Sequence, residues 1–483
     1  SSGSSGVYTY AQRSANHDTN NYNTGTYYNS DYLGTPTNVA SNNPTNFETT
    51  EAENGAVLVT YANHAYARGW TGKGSTALIM DTGIDQDHPE FTGKVKYLWD
   101  AGYTTPYEDE NGHGSHVAGI VSANKDGTGI HGIAYDANLA IAKIGEANGI
   151  SLSGAKQALN WAKQYDDIVV ANLSANTNYS SAYKSSMTDQ GSGIFTNEHV
   201  VYGGSNYYNL EDPTTWKEVI PDELVLVVSA GNTDLGYVQN PATFASAVDS
   251  NNNLELDGRM LIAGNWNTST QTIDGAKSGH VCKDYTTQCN DTYKTSDFYI
   301  LAPGTNINSV KNGGGYARMS GTSQAAPVIT GGVAIVHQLW PYMKGKNIAQ
   351  LLLQTANKDL SNYSITTHGQ GLLDLDKATQ PVGGLGISLT GRIGETTSIS
   401  GGLSISGIDD SVIASLSSIS AIDDFDRDFK VDLTSMIKQN DNLMPLQSDY
   451  KKGDSWGTML SNLDVKSLDG FIIGLENKEH FLI

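Results

Sequence analysis

Ala77-Leu78-Ile79-Met80-Asp81-Thr82-Gly83-Ile84-Asp85 is a short apolar run that ends on a carboxylate and a glycine turn. Apolar runs without polar alternation belong to strands buried on both faces, as in parallel sheets covered by helices. Four more such runs follow: Leu139 to Ala142, Ile168 to Ala171, Leu224 to Val228 and Met260 to Ala263. Helical patterns occur near His113 to Ala123, Ser153 to Gln164, Ser323 to Tyr342 and Lys346 to Ala356. The alternation predicts an α/β fold, a doubly wound parallel sheet. Such sheets bind ligands at the carboxyl ends of their strands. Asp81 follows the first strand directly and Asn232 follows the Leu224 to Ser229 run, so both are predicted to lie on that edge.

Two further segments carry chemistry: Asn111-Gly112-His113-Gly114-Ser115-His116-Val117-Ala118-Gly119 and Gly321-Thr322-Ser323-Gln324-Ala325-Ala326-Pro327. With Asp81 they supply an acid, a base and a nucleophile in the order Asp, His, Ser, separated by 32 and 210 residues. A serine hydroxyl is a poor nucleophile until an imidazole takes its proton and a carboxylate fixes that imidazole's tautomer. Gly112 and Gly114 flank His113, where small residues let a helix terminus approach the strand bearing Asp81. Ser323 is predicted to open a helix with Pro327 in its first turn, where amide donors lack partners, and the helix dipole favours negative charge beside the nucleophile. Taken singly, an Asp after a strand or a Ser before a helix is a turn residue or a cap. His116 reads as a structural residue of its helix, His88, His131 and His337 carry no pairing logic, and Asp85 reads as a turn residue or as a support behind the site.

Over residues 56 to about 380 these motifs, in this order, resemble those of subtilisin-like serine proteases. The resemblance implies a subtilisin-type sheet and a serine endopeptidase acting through an acyl-enzyme, with Asp81, His113 and Ser323 as its triad and no metal or other cofactor for the chemistry. Val228-Ser229-Ala230-Gly231-Asn232 resembles the segment that carries the family's oxyanion-hole asparagine, which implies that role for Asn232. It also implies that extended protein or peptide substrates bind between rim strands at Ser174-Ala175-Asn176 and Gly149-Ile150-Ser151. Asn176 stands where the family pattern has glycine, which leaves the shape of the primary specificity pocket open. The loop from Asn124 to Ile130 resembles a structural calcium loop: Glu90 and Asp126 would give carboxylates, and Asn124, Thr128 and Ile130 backbone oxygens. A plain glycine turn is the alternative. Ala421-Ile422-Asp423-Asp424-Phe425-Asp426-Arg427-Asp428-Phe429 resembles the junction after the protease in bacterial autotransporter subtilases, which implies an outer-membrane barrel as a partner in the native chain; an ordinary β-rich accessory domain is the alternative.

Charge and composition narrow the partners. The formal net charge is -22, from 29 basic and 51 acidic residues, which repels nucleic acid and anionic membranes and favours bound cations. No apolar run is longer than the five residues Leu224 to Val228, far short of the roughly 20 residues that span a bilayer. Cys282 and Cys289 lie seven positions apart in a polar loop, and two thiols alone make a poor zinc site. A local disulfide is the better reading, and it implies an oxidising compartment. With the low proportion of charged residues, this places the chain outside the cell or on its surface, in a bacterium if the autotransporter resemblance holds. The start, Ser1-Ser2-Gly3-Ser4-Ser5-Gly6, reads as an added linker.

Three regions are expected along the chain: a polar extension over 1–55, the catalytic domain over 56–383 and a small β-rich appendage over 384–483. The appendage is suggested by glycine-punctuated alternation in 383–391 and 398–407. A long insertion, 176–222, is expected to border the substrate cleft. The competing functional class is a subtilase scaffold kept for adhesion or partner binding, because a fold does not fix a function.

Overall fold

The computed structural model describes residues 56–274, apart from 147–148, 177–199, 203–204, 208–212, 233–237, 240, 250 and 252, then 294–384 and short stretches beyond. The polar extension, both cysteines and most of the long insertion lie outside the described residues.

Each predicted apolar run forms a strand. They are β1 (Thr76–Asp81), β3 (Asn138–Lys143), β4 (Ile168–Leu173), β5 (Val225–Ser229) and β6 (Met260–Asn267), joined by two strands not foreseen, β2 (Val95–Asp100) and β7 (Tyr299–Pro303). Their order across the sheet is β7-β6-β5-β4-β1-β3-β2 with every neighbouring pair parallel. A short strand, Thr272–Ile273, pairs antiparallel with the end of β6. All residues of β1, β4 and β5 are buried, so both faces of the sheet centre are covered. β2 is the edge strand and is only half buried.

The helices that matter for the site are α1 (His113–Ser122), α2 (Leu152–Ala162), α3 (Thr322–Leu339) and α4 (Gly345–Thr355). α1 packs on α3 and β1, while α3 lies along β4, β5, β6 and β7. Gly114 explains how close α1 comes: a Cβ there would stand 2.3 Å from the Gly83 carbonyl oxygen. Past the C-terminus of α1, the N–H groups of Ile133, Ala134 and Gly132 bond the carbonyls of Ile120, Val121 and Ala123. The loop 124–130 therefore bulges out of the helix end.

The chain order reverses between β1 and β4, since β2 and β3 extend the sheet to one side and β4 to β7 to the other. A crevice opens at the carboxyl ends of the two strands flanking such a switch. Ile79 pairs with Asn172 across β1 and β4, so Asp81 and Ser174 face each other over it.

The chain divides into two compact units after Thr379. In the C-terminal unit Thr396–Ser398, Gly386–Ser388, Ile419–Ile422 and Asp428–Val431 form an antiparallel sheet in that order. One turn is built on Asp423, whose carboxylate accepts from the N–H groups of Val382, Phe425 and Arg427 and binds the Arg427 guanidinium at 2.6 Å. Arg427 is fully buried and also donates to the Gln380 carbonyl.

Candidate active site

Asp81 ends β1 and is 1% exposed. Its Oδ1 accepts from the Thr82 N–H and from His113 Nδ1, each at 2.8 Å, and its Oδ2 is buried without a hydrogen-bond partner. His113 opens α1, and this bond makes Nδ1 the protonated nitrogen and leaves Nε2 as a base. Burial alone would lower the His113 pKa, but the charge and hydrogen bond of Asp81, with the charge of Asp109, outweigh it and hold the imidazole above its ordinary value.

Ser323 lies in the first turn of α3, and its hydroxyl donates to the Ser174 carbonyl at 3.2 Å; no hydrogen bond joins it to His113. Pro327 is not in that first turn, as the sequence suggested, but inside the helix. Lacking an N–H, it leaves the Ser323 carbonyl without its helical donor. The Ser174 hydroxyl supplies the replacement, at 2.8 Å. Ser174 is held in turn by Asn172 Nδ2 at 3.0 Å, and Asn172 Oδ1 accepts from Thr330 Oγ1 of α3. The proline thus lets β4 grip the helix at the nucleophile.

Asn232 follows β5 on the same edge. Its Oδ1 accepts from both the N–H and the hydroxyl of Thr322, at 2.8 and 3.0 Å, which turns its Nδ2 donor the other way. The Thr322 hydroxyl also accepts from the Gly231 N–H. The amide of Asn232 is therefore oriented by the residue that precedes Ser323. The arrangement comprises a buried carboxylate on an imidazole, a hydroxyl at a helix N-terminus and an aimed amide donor. It suits attack on a carbonyl whose oxygen becomes negative.

Comparison with known proteins shows the family. The family model described as "Subtilase family" matches residues 72–372. The chain belongs to the subtilase family. It is a subtilisin-like serine endopeptidase. The chain is 28% identical to a thermostable alkaline protease of Halalkalibacterium halodurans over 65% of its own length and 70% of that protein's. Against Subtilisin Savinase of Lederbergia lenta it is 28% identical over 65% of this chain and 94% of the relative. It is also 28% identical to an extracellular serine protease of Serratia marcescens, over 63% of this chain but only 31% of that longer protein.

The remaining predicted residues of this subtilase fall around the site in different ways. Asn176 donates to the Ser229 carbonyl at 2.5 Å and accepts from the Ser229 hydroxyl at 2.7 Å, so its side chain ties the chain after β4 to the end of β5. Ala175 lies between these contacts, half buried. Gly149–Ile150 pairs with Gly145–Glu146 in a small antiparallel ribbon. Ser151 leaves that rim and caps α2, accepting from the Gly154 N–H at 3.0 Å. Of the two readings of Asp85, the structure favours the support: its carboxylate accepts from the Gly313 N–H and fastens two loops.

At the loop 124–130, Glu90 Oε1 is occupied by the Ile130 N–H and the Tyr316 hydroxyl. Glu90 Oε2 is buried with no partner, and burial raises the Glu90 pKa. Asp126 is exposed and folds onto Thr128. Among the described residues no three His, Cys, Asp or Glu side chains converge as metal ligands, so a cation here would need backbone oxygens as well. The lone buried oxygen of Glu90 suits one. Sequence reasoning missed Thr322, Asn172, Thr82 and Asp109, whose partners are set by the fold and not by local spacing.

Proposed function

We propose that this endopeptidase is secreted and works through Asp81, His113 and Ser323 as its triad, with Asn232 Nδ2 and the Ser323 N–H as oxyanion donors. The carrying observation is the 2.8 Å bond from His113 Nδ1 to the buried Asp81, which leaves the opposite imidazole nitrogen free to act as base. In this reading a peptide carbonyl enters the crevice between the ends of β1 and β4, and the Ser323 hydroxyl leaves the Ser174 carbonyl. Catalytic hydrogen bonds are often loose in substrate-free enzymes and tighten in the complex. Ser323 Oγ attacks, His113 takes the proton and delivers it to the leaving amine, and Asp81 stabilises the imidazolium. The helix N-terminus and Asn232 receive the negative oxygen, and water, activated by His113, then releases the acyl group.

Substrate is read as an extended chain along Ser174–Asn176 on one side and Gly149–Ile150 on the other. Calcium, where present, would bind Glu90 and Asp126 with the carbonyls of Asn124, Thr128 and Ile130, as a structural ion. The extracellular relatives and the Ala421–Phe429 junction support secretion and an autotransporter origin. A catalytic domain over 56–383, a polar extension before it and a β-rich appendage after it complete the reading.

The test is hydrolysis of casein and a short peptide by Ser323→Ala, His113→Ala and the double variant. Each single change is expected to remove nearly all turnover and the double little more, because a triad acts as a unit. Losses that add would refute it. The base must be neutral, so a pKa held above the ordinary 6.5 means activity falls with acid through a limb above that pH.

A further inference from the structure

Gly112, the N-cap of α1, has no side chain to satisfy the helix's first N–H groups. Side chains from elsewhere bond them instead. His113 N–H reaches Asn111 Oδ1 at 3.3 Å, Gly114 N–H reaches Thr82 Oγ1 at 2.9 Å, and Ser115 N–H reaches Asp109 Oδ2 at 2.7 Å. Asp109 does most of this. It is 3% exposed, and its Oδ1 accepts from the Thr82 hydroxyl at 2.8 Å, the Asn111 N–H at 3.1 Å and the Gly112 N–H at 2.7 Å. Its Oδ2 accepts from both the N–H and the hydroxyl of Ser115, each at 2.7 Å. All of these donors are neutral, so the carboxylate charge is balanced by backbone dipoles at a helix N-terminus.

Thr82 makes the arrangement more than a cap. Its hydroxyl accepts from α1 and donates to Asp109, while its own N–H donates to Asp81 Oδ1, the oxygen that holds His113. Asp109 is itself fixed. Its carbonyl accepts from Asn312, and the preceding carbonyl of Glu108 accepts from Lys143, a fully buried lysine in register with Asp81 on the adjacent strand. The turn after β1, the start of α1 and the loop between them thus meet at one carboxylate.

We propose that Asp109 is a positioning residue of the hydrolytic reaction, clamping the first turn of α1 to the turn after β1 through Thr82 so that His113 and Asp81 are held in register. This rests on the reading of Asp81, His113 and Ser323 as the triad. Asp109 touches no substrate in it and acts through His113. The negative charge also supports the raised basicity of His113.

Asp109→Asn keeps the size but turns an amide N–H₂ against the donors of Ser115 or of Gly112 and Thr82, and removes the charge. With rates normalised by a serine-directed active-site titrant, kcat on a short peptide should fall by up to about 10²-fold, the cost of a misplacement near 1 Å. KM should stay within about twofold, and the acid limb of kcat should move to lower pH. A lower melting temperature with an unchanged normalised kcat and an unmoved limb would mean a merely structural cap, and would overturn the proposal. Thr82→Val and Thr82→Ser keep the question open to experiment if Asp109→Asn fails to fold: Val should lower kcat and Ser should restore it, and equal kcat in Val and wild type refutes the clamp. Ser323→Ala in the same assay separates the two readings. Turnover by Ser323→Ala close to that of the wild type, per mole of protein, sinks the triad and this proposal with it; loss of nearly all turnover in Ser323→Ala beside a fully active Asp109→Asn sinks the clamp alone.

Discussion

His116 and His131 are both 0% exposed, and each neutral ring uses one nitrogen as donor and leaves the other without a partner. His116 Nε2 donates towards the carbonyls of Ala317 and Ile307, and His131 Nδ1 towards that of Gly132. A second proton would place an N–H where no acceptor lies, in a site already stripped of water. Burial lowers both pKa values to about 4 from the ordinary 6.5. Between those two values the unfolded chain protonates these two histidines and the folded chain does not, and His337, lowered to about 4 by burial as well, adds a third such proton. Stability therefore falls as pH drops through that window, by up to about 1.4 kcal/mol per pH unit for each histidine and about 3 kcal/mol each over the whole span, as an upper limit. The assay is urea unfolding of the Ser323→Ala protein, which cannot digest itself, at intervals from pH 7 to 4. His116→Gln and His131→Asn keep a donor at the corresponding position without titrating, and each should lower the slope of stability against pH by one proton. A slope unchanged in the double variant would show that these two rings are not the acid-labile points.

Other expectations are simpler. Asn232→Ala should lower kcat about 10²–10³-fold with KM little changed, a magnitude carried over from subtilisin, itself a relative, rather than worked from this structure; a change confined to KM would make Asn232 a binding residue. Calcium should raise the melting temperature, and a hundredfold excess over its dissociation constant would stabilise by about 2.7 kcal/mol; melting curves identical in calcium and in chelator would remove the Glu90 site. Ending the chain at Thr379 should leave peptide hydrolysis largely intact, because every residue of the proposed site precedes that point; a soluble, folded but inactive product would show that the C-terminal unit shapes the site.

The central strands were legible in the chain because burial on both faces writes a local signal. Thr76–Asp81, Ile168–Leu173 and Val225–Ser229 are apolar along nearly their whole length. Val95–Asp100 was not, since as a half-buried edge strand it interleaves Lys96 and Asp100 with its apolar residues. Tyr299–Pro303 was passed over although it is fully buried and its apolar run, Phe298 to Ala302, is as long as those of the strands that were read, because it opens on two aromatic residues and closes on a proline. Strand ends also placed Asp81 and Asn232 on one edge of the sheet, and extended motifs singled out His113 and Ser323. The supports of that edge left no such mark. Asp109 finds Thr82 across 27 positions, Asn232 finds Thr322 across 90, and Ser174 finds the Ser323 carbonyl across 149. Pro327 shows the difference most plainly: by local rules it belongs at a helix start, yet it sits inside α3 because a serine from a distant strand replaces the missing donor. Hydrophobic periodicity is set by each residue's own surroundings along an element, whereas the pairing of buried polar groups is decided only when the sheet brings remote segments together, and it is that pairing which aims the side chains of the site.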